Sequence, residues 1–274
     1  AYQDCYASLN AGKTLGIGNY DSANIIHSNG KFYLLVGTST SNRDHFYIVD
    51  AKTLYYENSA VVGANLSGLT ILNEQYGLVT GDGIRRIDLK SLNNVRIKNE
   101  RLLCFYNSII YNGKVLSNDT YKDESKVKYY DVNELIAAKE GEAPAVTELD
   151  IIQKQKINFV LAKDGNVYTL ESADNGCNIV KIKNDFTLEK VFANFQPAKG
   201  PYHSSPTIGM VASETENIIY LVSTDGAIYK YILGDSDSLK APFIAAESGV
   251  SITAPLQLCL LYTSPSPRDT ERSR

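Results

Sequence analysis

The stretch NGKFYLLVG, Asn29 to Gly37, opens on an Asn-Gly pair and runs directly into aromatic, β-branched and leucine residues. Asn-Gly suits a two-residue hairpin turn, because both positions tolerate the positive φ that such a turn requires. The stretch therefore predicts the tip of a hairpin, with one strand before Asn29 and a second from Lys31 onward.

The phrase recurs. It returns as NEQYGLVTG from Asn73, NGKVLSND from Asn112, DGNVYTLES from Asp164 and ENIIYLVST from Glu216. Counted from Phe32, Tyr76, Val115, Val167 and Ile219, the steps are 44, 39, 52 and 52 residues. A further strand follows each phrase: HFYIVDAKTL, IRRIDLKSL, VKYYDVNEL, NIVKIKNDFTL and IYKYILGDSDSL. Asp50, Asp88 and Asp131 stand at the end of the first three, and a Lys replaces the Asp in the last two. Each then turns through polar residues to a leucine: Leu54, Leu92, Leu135, Leu188 and Leu239. A return strand such as YYENSAVV or LEKVFANF completes the unit.

Strand A, a tight turn, strand B, a variable loop, strand C, a polar turn and strand D make one blade of a β-propeller. The expected fold is all-β, with about five four-stranded blades present of a probable seven and the last one incomplete. One stretch departs from strand periodicity: VNELIAAKEGEA, Val132 to Ala143, reads as a short helix or an extended C–D turn.

The last sixteen residues, CLLYTSPSPRDTERSR from Cys259 to Arg274, do not belong to this pattern. They match the in-frame translation of a transposase-type sequencing-library adapter, and such segments are excluded from fold reasoning. The expected division is a partial propeller over 1–258 and a non-native tail over 259–274. The remaining cysteines, Cys5, Cys104 and Cys177, form neither a disulfide framework nor a metal-binding spacing. The tail's three arginines outweigh Asp269 and Glu271 by one charge, so setting it aside takes the net charge from −4 to −5. A mildly acidic chain without a basic cluster has no nucleic-acid footprint. No apolar run is long enough to span a membrane as a helix.

The phrases GKFYLLVGTS, GLVTGDGIRRIDLKSL, DGNVYTLES and ENIIYLVSTDGAIYKYILGDSDSLKAPFI resemble the YVTN-type, surface-layer-like propeller family. The resemblance runs from about Asp21 to Ile252 and is closest to a secreted bacterial branch, usually seven-bladed and often lipid-anchored. It includes cell-surface cobalamin-binding lipoproteins that pass ligand to TonB-dependent outer-membrane transporters. The resemblance implies an extracytoplasmic protein, at the cell surface or in the periplasm, with such a transporter as partner. A lipid anchor would lie upstream of Ala1, since AYQD before Cys5 is not a lipobox.

Propellers bind on the face that carries the D–A and B–C loops. Here that face is built from Ser39–Asp44, Gly63–Gly68, Gly81–Gly83, Thr120–Ser125 and Ser172–Gly176, together with the segments entering each strand A. Three of those segments carry an aromatic–polar pair: Tyr20 with Asp21, Tyr106 with Asn107, and Tyr202 with His203. A tyrosine offers a rigid apolar plate with a hydroxyl, and its neighbour adds a directional hydrogen bond, a combination suited to a large polar ligand. Asn65 is a weaker candidate in the same ring. The bland alternative is that these residues only close the blade-to-blade turns.

Catalytic and metal-binding readings find less support. His27, His45 and His203 fall in different blades, and the chain has no Trp. Gly16-Ile17-Gly18 lacks the rest of a dinucleotide fingerprint, and GDSDS, Gly234 to Ser238, lacks the further acidic ligands of a calcium loop. No catalytic residue, metal or cofactor is expected. The reading is a non-catalytic binding protein for a small molecule, a corrinoid or another transporter cargo; the alternatives are a protein-interaction scaffold and a propeller lyase or hydrolase.

Overall fold

The computed structural model describes residues 20–38, 44–63, 68–81, 83–98, 108–118, 125–153, 159–196, 210–223 and 226–248. They form five antiparallel sheets, each built from consecutive strands. The first holds β1 (Tyr20–Ser28), β2 (Lys31–Thr38), β3 (Asp44–Asp50) and β4 (Tyr56–Gly63). The second holds β5 (Gly68–Ile71), β6 (Tyr76–Gly81), β7 (Gly83–Asp88) and β8 (Asn94–Lys98). The third holds β9 (Ile109–Tyr111), β10 (Lys114–Asn118), β11 (Ser125–Asp131) and β12 (Val146–Gln153), with helix α1 (Val132–Ala137) between the last two. The fourth holds β13 (Val160–Leu161), β14 (Val167–Ala173), β15 (Gly176–Ile182) and β16 (Leu188–Phe195). The fifth holds β17 (Met210–Ala212), β18 (Ile218–Val222) and β19 (Ile228–Ile232). Its fourth position is taken by a single bridge, Ile228 to Ile244, so this blade is incomplete among the described residues, as expected. The protein is an all-β propeller, and α1 lies within the segment where the sequence allowed a helix.

Each strand uses both of its faces. In β6, Leu78 enters the core between blades 2 and 3, and its neighbour Val79 enters the core between blades 1 and 2. In β10, Val115 faces blade 2 and Leu116 faces blade 4. Alternation at period two therefore produces one apolar cluster between every successive pair of blades. Each fully buried leucine or isoleucine contributes about 1.5–3 kcal/mol, which is why the blades hold together side by side.

The turns follow the sequence closely at one end. Asn29 and Gly30 have φ of 49° and 71°, and Asn112 and Gly113 have 45° and 71°, the geometry expected of Asn-Gly hairpins. The strand-end aspartates close the C–D turns. Asp50 Oδ1 accepts from the backbone N–H of Lys52 and Thr53 and from the Thr53 hydroxyl at 3.1, 2.7 and 2.7 Å. Asp88 does the same with Lys90 and Ser91. Asp131 caps α1 by accepting from the N–H groups of Asn133 and Glu134.

Two details of the repeat are corrected. The residues opposite the ends of strand C are Lys31, Tyr76, Lys114, Val167 and Ile218, one position earlier than the sequence alignment in three of the blades. Ile182 and Ile232, not lysines, then hold the place of the strand-end aspartate in the last two blades. Asp185 instead accepts from the N–H and hydroxyl of Thr187, so the acid has moved into the turn. The shared leucine also has no single role. Leu54 and Leu92 take positive φ, Phe186 does so in blade 4, Leu135 lies in α1, and Leu239 ends a 3-10 turn.

These turns make a pH prediction. The Thr53 side chain holds Asp50 below the ordinary carboxyl value of 3.8, as do the Ser91 N–H for Asp88, Lys114 for Asp131 and the Thr187 side chain for Asp185. A carboxyl depressed on folding stabilises above its unfolded value and loses that contribution as pH falls through the folded one. The urea midpoint is expected to be insensitive to these groups at neutral pH and to drop below about pH 4. A midpoint that stays level on acidification would contradict this account of the turns.

Candidate functional site

The meander places the A–B and C–D turns at one end of the molecule and the B–C and D–A connections at the other. The turn end is closed by short hydrogen-bonded loops. Among the described residues, the connection end is where most of the buried polar side chains gather: Asp44 at the start of β3, Thr80 in β6, Ser117 and Asn118 at the end of β10, Gln153 at the end of β12 and Asn178 in β15.

The clearest of these arrangements joins blades 3 and 4. Gln153 is 1% exposed. Its Oε1 accepts from Asn118 Nδ2 at 2.7 Å, and its Nε2 donates to Thr169 Oγ1 at 3.0 Å and to the Leu170 carbonyl at 2.9 Å. A buried amide with both ends engaged fixes the spacing of two blades where a connection must cross between them. Nearer the innermost strands, the hydroxyls of Thr70 and Ser108 are hydrogen-bonded across blades 2 and 3.

The predicted ring of tyrosine pairs is placed as follows. Tyr20 and Asp21 are the first residues of β1, and Asp21 falls in an irregularity between the pairings of Tyr20 with Thr38 and Ser22 with Gly37. Asn65, Tyr106, Asn107, Tyr202 and His203 lie outside the described residues. In sequence, the pairs stand at unequal distances ahead of their strands A. Taking the equivalent partners of Phe32, Val115 and Ile219, Tyr20 precedes His27 by seven residues, Tyr106 precedes Ile110 by four, and Tyr202 precedes Ala212 by ten.

The predicted loops also sharpen. Asp44 belongs to β3, not to a loop. Ser172–Gly176 is a tight hairpin in which Ser172 pairs with Cys177 and Ala173 with Gly176. Gly81 pairs directly with Gly83. Loop residues 39–43, 64–67 and 120–124 lie outside the described residues.

The strongest electrostatic perturbation sits at the opposite end. Burial, reinforced by a 2.8 Å hydrogen bond to Asp164 Oδ2, pushes the Tyr168 phenol far above its usual range. Lys181 Nζ approaches the same carboxylate at 3.0 Å. A phenol held this strongly protonated cannot serve as a base near neutrality; the trio locks strand β14 to the A–B turn of blade 4. His27 and His45 share the first blade instead of lying in different ones: His27 is in β1 with its ring 5.1 Å from that of Phe32, and His45 is in β3, stacked on Tyr47 at 5.8 Å. In GDSDS, Asp235 caps the 3-10 turn and Asp237 pairs with Lys240. Among the described residues, no group of three or more His, Cys, Asp or Glu is arranged to hold a metal ion.

The buried polar residues were missed in the sequence, although a signal was present. Thr80 and Ser117 each stand two positions beyond a core residue, on the same strand face as Leu78 and Val115. A polar residue continuing an inward-facing series marks such a place.

Comparison with known proteins agrees with the fold. The chain is similar to Kluyveromyces lactis Hsv2, with 12% identity over 89% of this chain and 72% of that one and a TM-score of 0.49. It is similar to virginiamycin B lyase from Staphylococcus aureus, with 14% identity over 78% and 71% and a TM-score of 0.44. It is also similar to Kuenenia stuttgartiensis hydrazine synthase, with 13% identity over 77% and 64% and a TM-score of 0.50. At these identities the likeness is one of fold. No curated protein matches the chain. A family model described as "Domain of unknown function (DUF5074)" matches residues 1–258.

Proposed function

Because the chain belongs to the DUF5074 family, whose description states no function, we propose one from the propeller itself: a non-catalytic, extracytoplasmic binding protein. It captures a small molecule on the end that carries the B–C and D–A connections. The observation that carries this reading is the asymmetry of the two ends. One is closed by Asp-centred turns, and the other collects the buried polar side chains. Polar groups gathered toward one end of an apolar scaffold suit a small-molecule site.

The finer reading rests on the resemblance of DGNVYTLES and ENIIYLVSTDG to the secreted YVTN-type branch. It makes the ligand a corrinoid or another transporter cargo, the location the cell surface or periplasm, and the partner a TonB-dependent transporter. No covalent step is involved. Stacking on Tyr20, Tyr106 and Tyr202 and hydrogen bonds with Asn65, Asn107 and His203, together with acceptance by the Asp21 carboxylate, hold the ligand.

Calorimetric titration with a panel that includes cyanocobalamin tests this. Alanine at Tyr20, Tyr106 or Tyr202 is expected to weaken binding about fivefold or more, the loss typical of a buried aromatic contact. Unchanged affinity in all three variants removes these residues from the site, and silence across the panel removes the corrinoid assignment. Turnover on adding a divalent metal or a quinone would instead revive an enzyme.

A further inference from the structure

The junction between blades 2 and 3 carries two buried hydroxyls that bond to nothing. Thr80 is 1% exposed and Ser117 is fully buried, and neither Oγ has a hydrogen-bond partner. Strand alternation places them on the same junction. Thr80 continues the face of Leu78, Ser117 continues the face of Val115, and both of those residues lie in the cluster between these two blades. Each stands beyond that cluster, one residue from the connection end of its strand.

The neighbouring junction shows how such a place is normally filled. Between blades 3 and 4, Gln153 bridges Asn118, Thr169 and Leu170. Charged groups on the same strand faces as these hydroxyls are already engaged. Lys128, opposite Ser117, lies 3.7 Å from Glu148, and Arg86 donates to the carbonyls of Leu135, Ile136 and Ala138. What the junction offers is therefore two neutral groups, each able to donate and accept. Buried hydroxyls left without partners are rare and costly, so each calls for an occupant.

We propose that Thr80 and Ser117 form a subsite for the uncharged polar end, an amide or a hydroxyl group, of a small molecule bound at the connection end. This rests on the binding function proposed above. A charged group would be uncompensated here, whereas an amide or hydroxyl matches both side chains. The subsite would select among ligands by a terminal neutral group, independently of the stacking tyrosines.

The test uses small probes in place of an unidentified ligand. Protein carrying 13C-labelled methyl groups is titrated with acetamide and ethylene glycol, and separately with acetate and methylammonium. The methyl signals of Leu78 and Val115, below the hydroxyls, report. Saturable shifts with the two neutral probes and none with the charged pair are expected. Thr80→Val and Ser117→Ala should each weaken the neutral probes about tenfold. Three results would overturn the subsite: no saturable shift with any probe, equal shifts in the variants, or a long-lived water contact that persists at probe saturation. If a variant fails to fold, the contrast between neutral and charged probes on the unaltered protein still decides. Probe binding with silence across the ligand panel would sink only the corrinoid and transporter-cargo assignment. A responsive panel with silent probes would sink only the subsite.

Discussion

Gln153→Ala is expected to cost about 3 kcal/mol of unfolding free energy. The side chain is buried and makes three hydrogen bonds between blades 3 and 4. Alanine removes all three, takes a designated partner from Asn118 and Thr169, and leaves a space that a β-sheet scaffold cannot collapse to fill. Urea titration at neutral pH measures the loss. Two further variants identify its origin. Gln153→Leu restores much of the volume but none of the hydrogen bonds, so it should recover only part of the deficit. Gln153→Glu retains an acceptor for Asn118 but turns a carboxylate toward the Leu170 carbonyl. Burial would raise that carboxyl above its unfolded value of roughly 4.3. Its stability is then greatest at low pH and declines as pH rises through the raised value. A Glu variant equally stable at about pH 5 and pH 8 would show that the carboxylate escapes to solvent and that the bridge is not a fixed element.

A second large effect is expected from Gly176→Ala, about 3 kcal/mol of destabilisation. Gly176 has a φ of +120°, a conformation L side chains rarely adopt. An added Cβ would lie 2.4 Å from Gln196 Nε2 and 2.6 Å from the Phe195 carbonyl oxygen. The glutamine end can swing away, although it gives up its 2.6 Å bond to the Asn175 carbonyl. The Phe195 carbonyl belongs to backbone paired with Cys177, so β15 and β16 must part. Gly113→Ala is the control. Its φ is +71° and an added Cβ meets nothing within 4 Å, so only the conformational cost of about 1 kcal/mol should appear. Equal losses at the two positions would mean that the close approach in the β14–β15 hairpin does not hold. The hairpin forms part of the connection end, so Gly176→Ala should also perturb ligand binding where Gly113→Ala does not.

The contrast between these glycines mirrors what could be read from the chain. Gly113 follows Asn112 at a hairpin tip, and the dipeptide alone announces its geometry. Nothing local to Gly176 announces contact with Phe195 and Gln196, because those residues lie at the far end of the next strand. The same divide runs through the whole molecule. Hairpins, Asp-centred turns and blade succession depend on residues close in sequence, so the repeat made them legible. The one-residue offsets at Phe32, Val115 and Ile219 arose because A–B turns differ in length while their apolar residues look alike. The junction residues Thr80, Ser117 and Gln153 depend on what the adjacent blade presents. Only the inward series they continue could have flagged them. The tyrosine pairs attracted notice by residue type, and Tyr106, Asn107, Tyr202 and His203 lie outside the described residues.

The unbroken order of strands within every sheet has a consequence for synthesis. Each hydrogen-bonded ladder is made wholly from one contiguous length of chain. A ribosome delivers roughly 5–20 residues per second, whereas a hairpin closes in about 1–10 μs. A blade can therefore form soon after its last strand leaves the exit tunnel, without waiting for any distant segment. What it must wait for is a neighbour. The face that carries Leu78 and Ile84 stays wet for the seconds it takes the next blade to emerge. The vulnerable species during synthesis is then a finished sheet with one apolar face uncovered, renewed each time a blade is added.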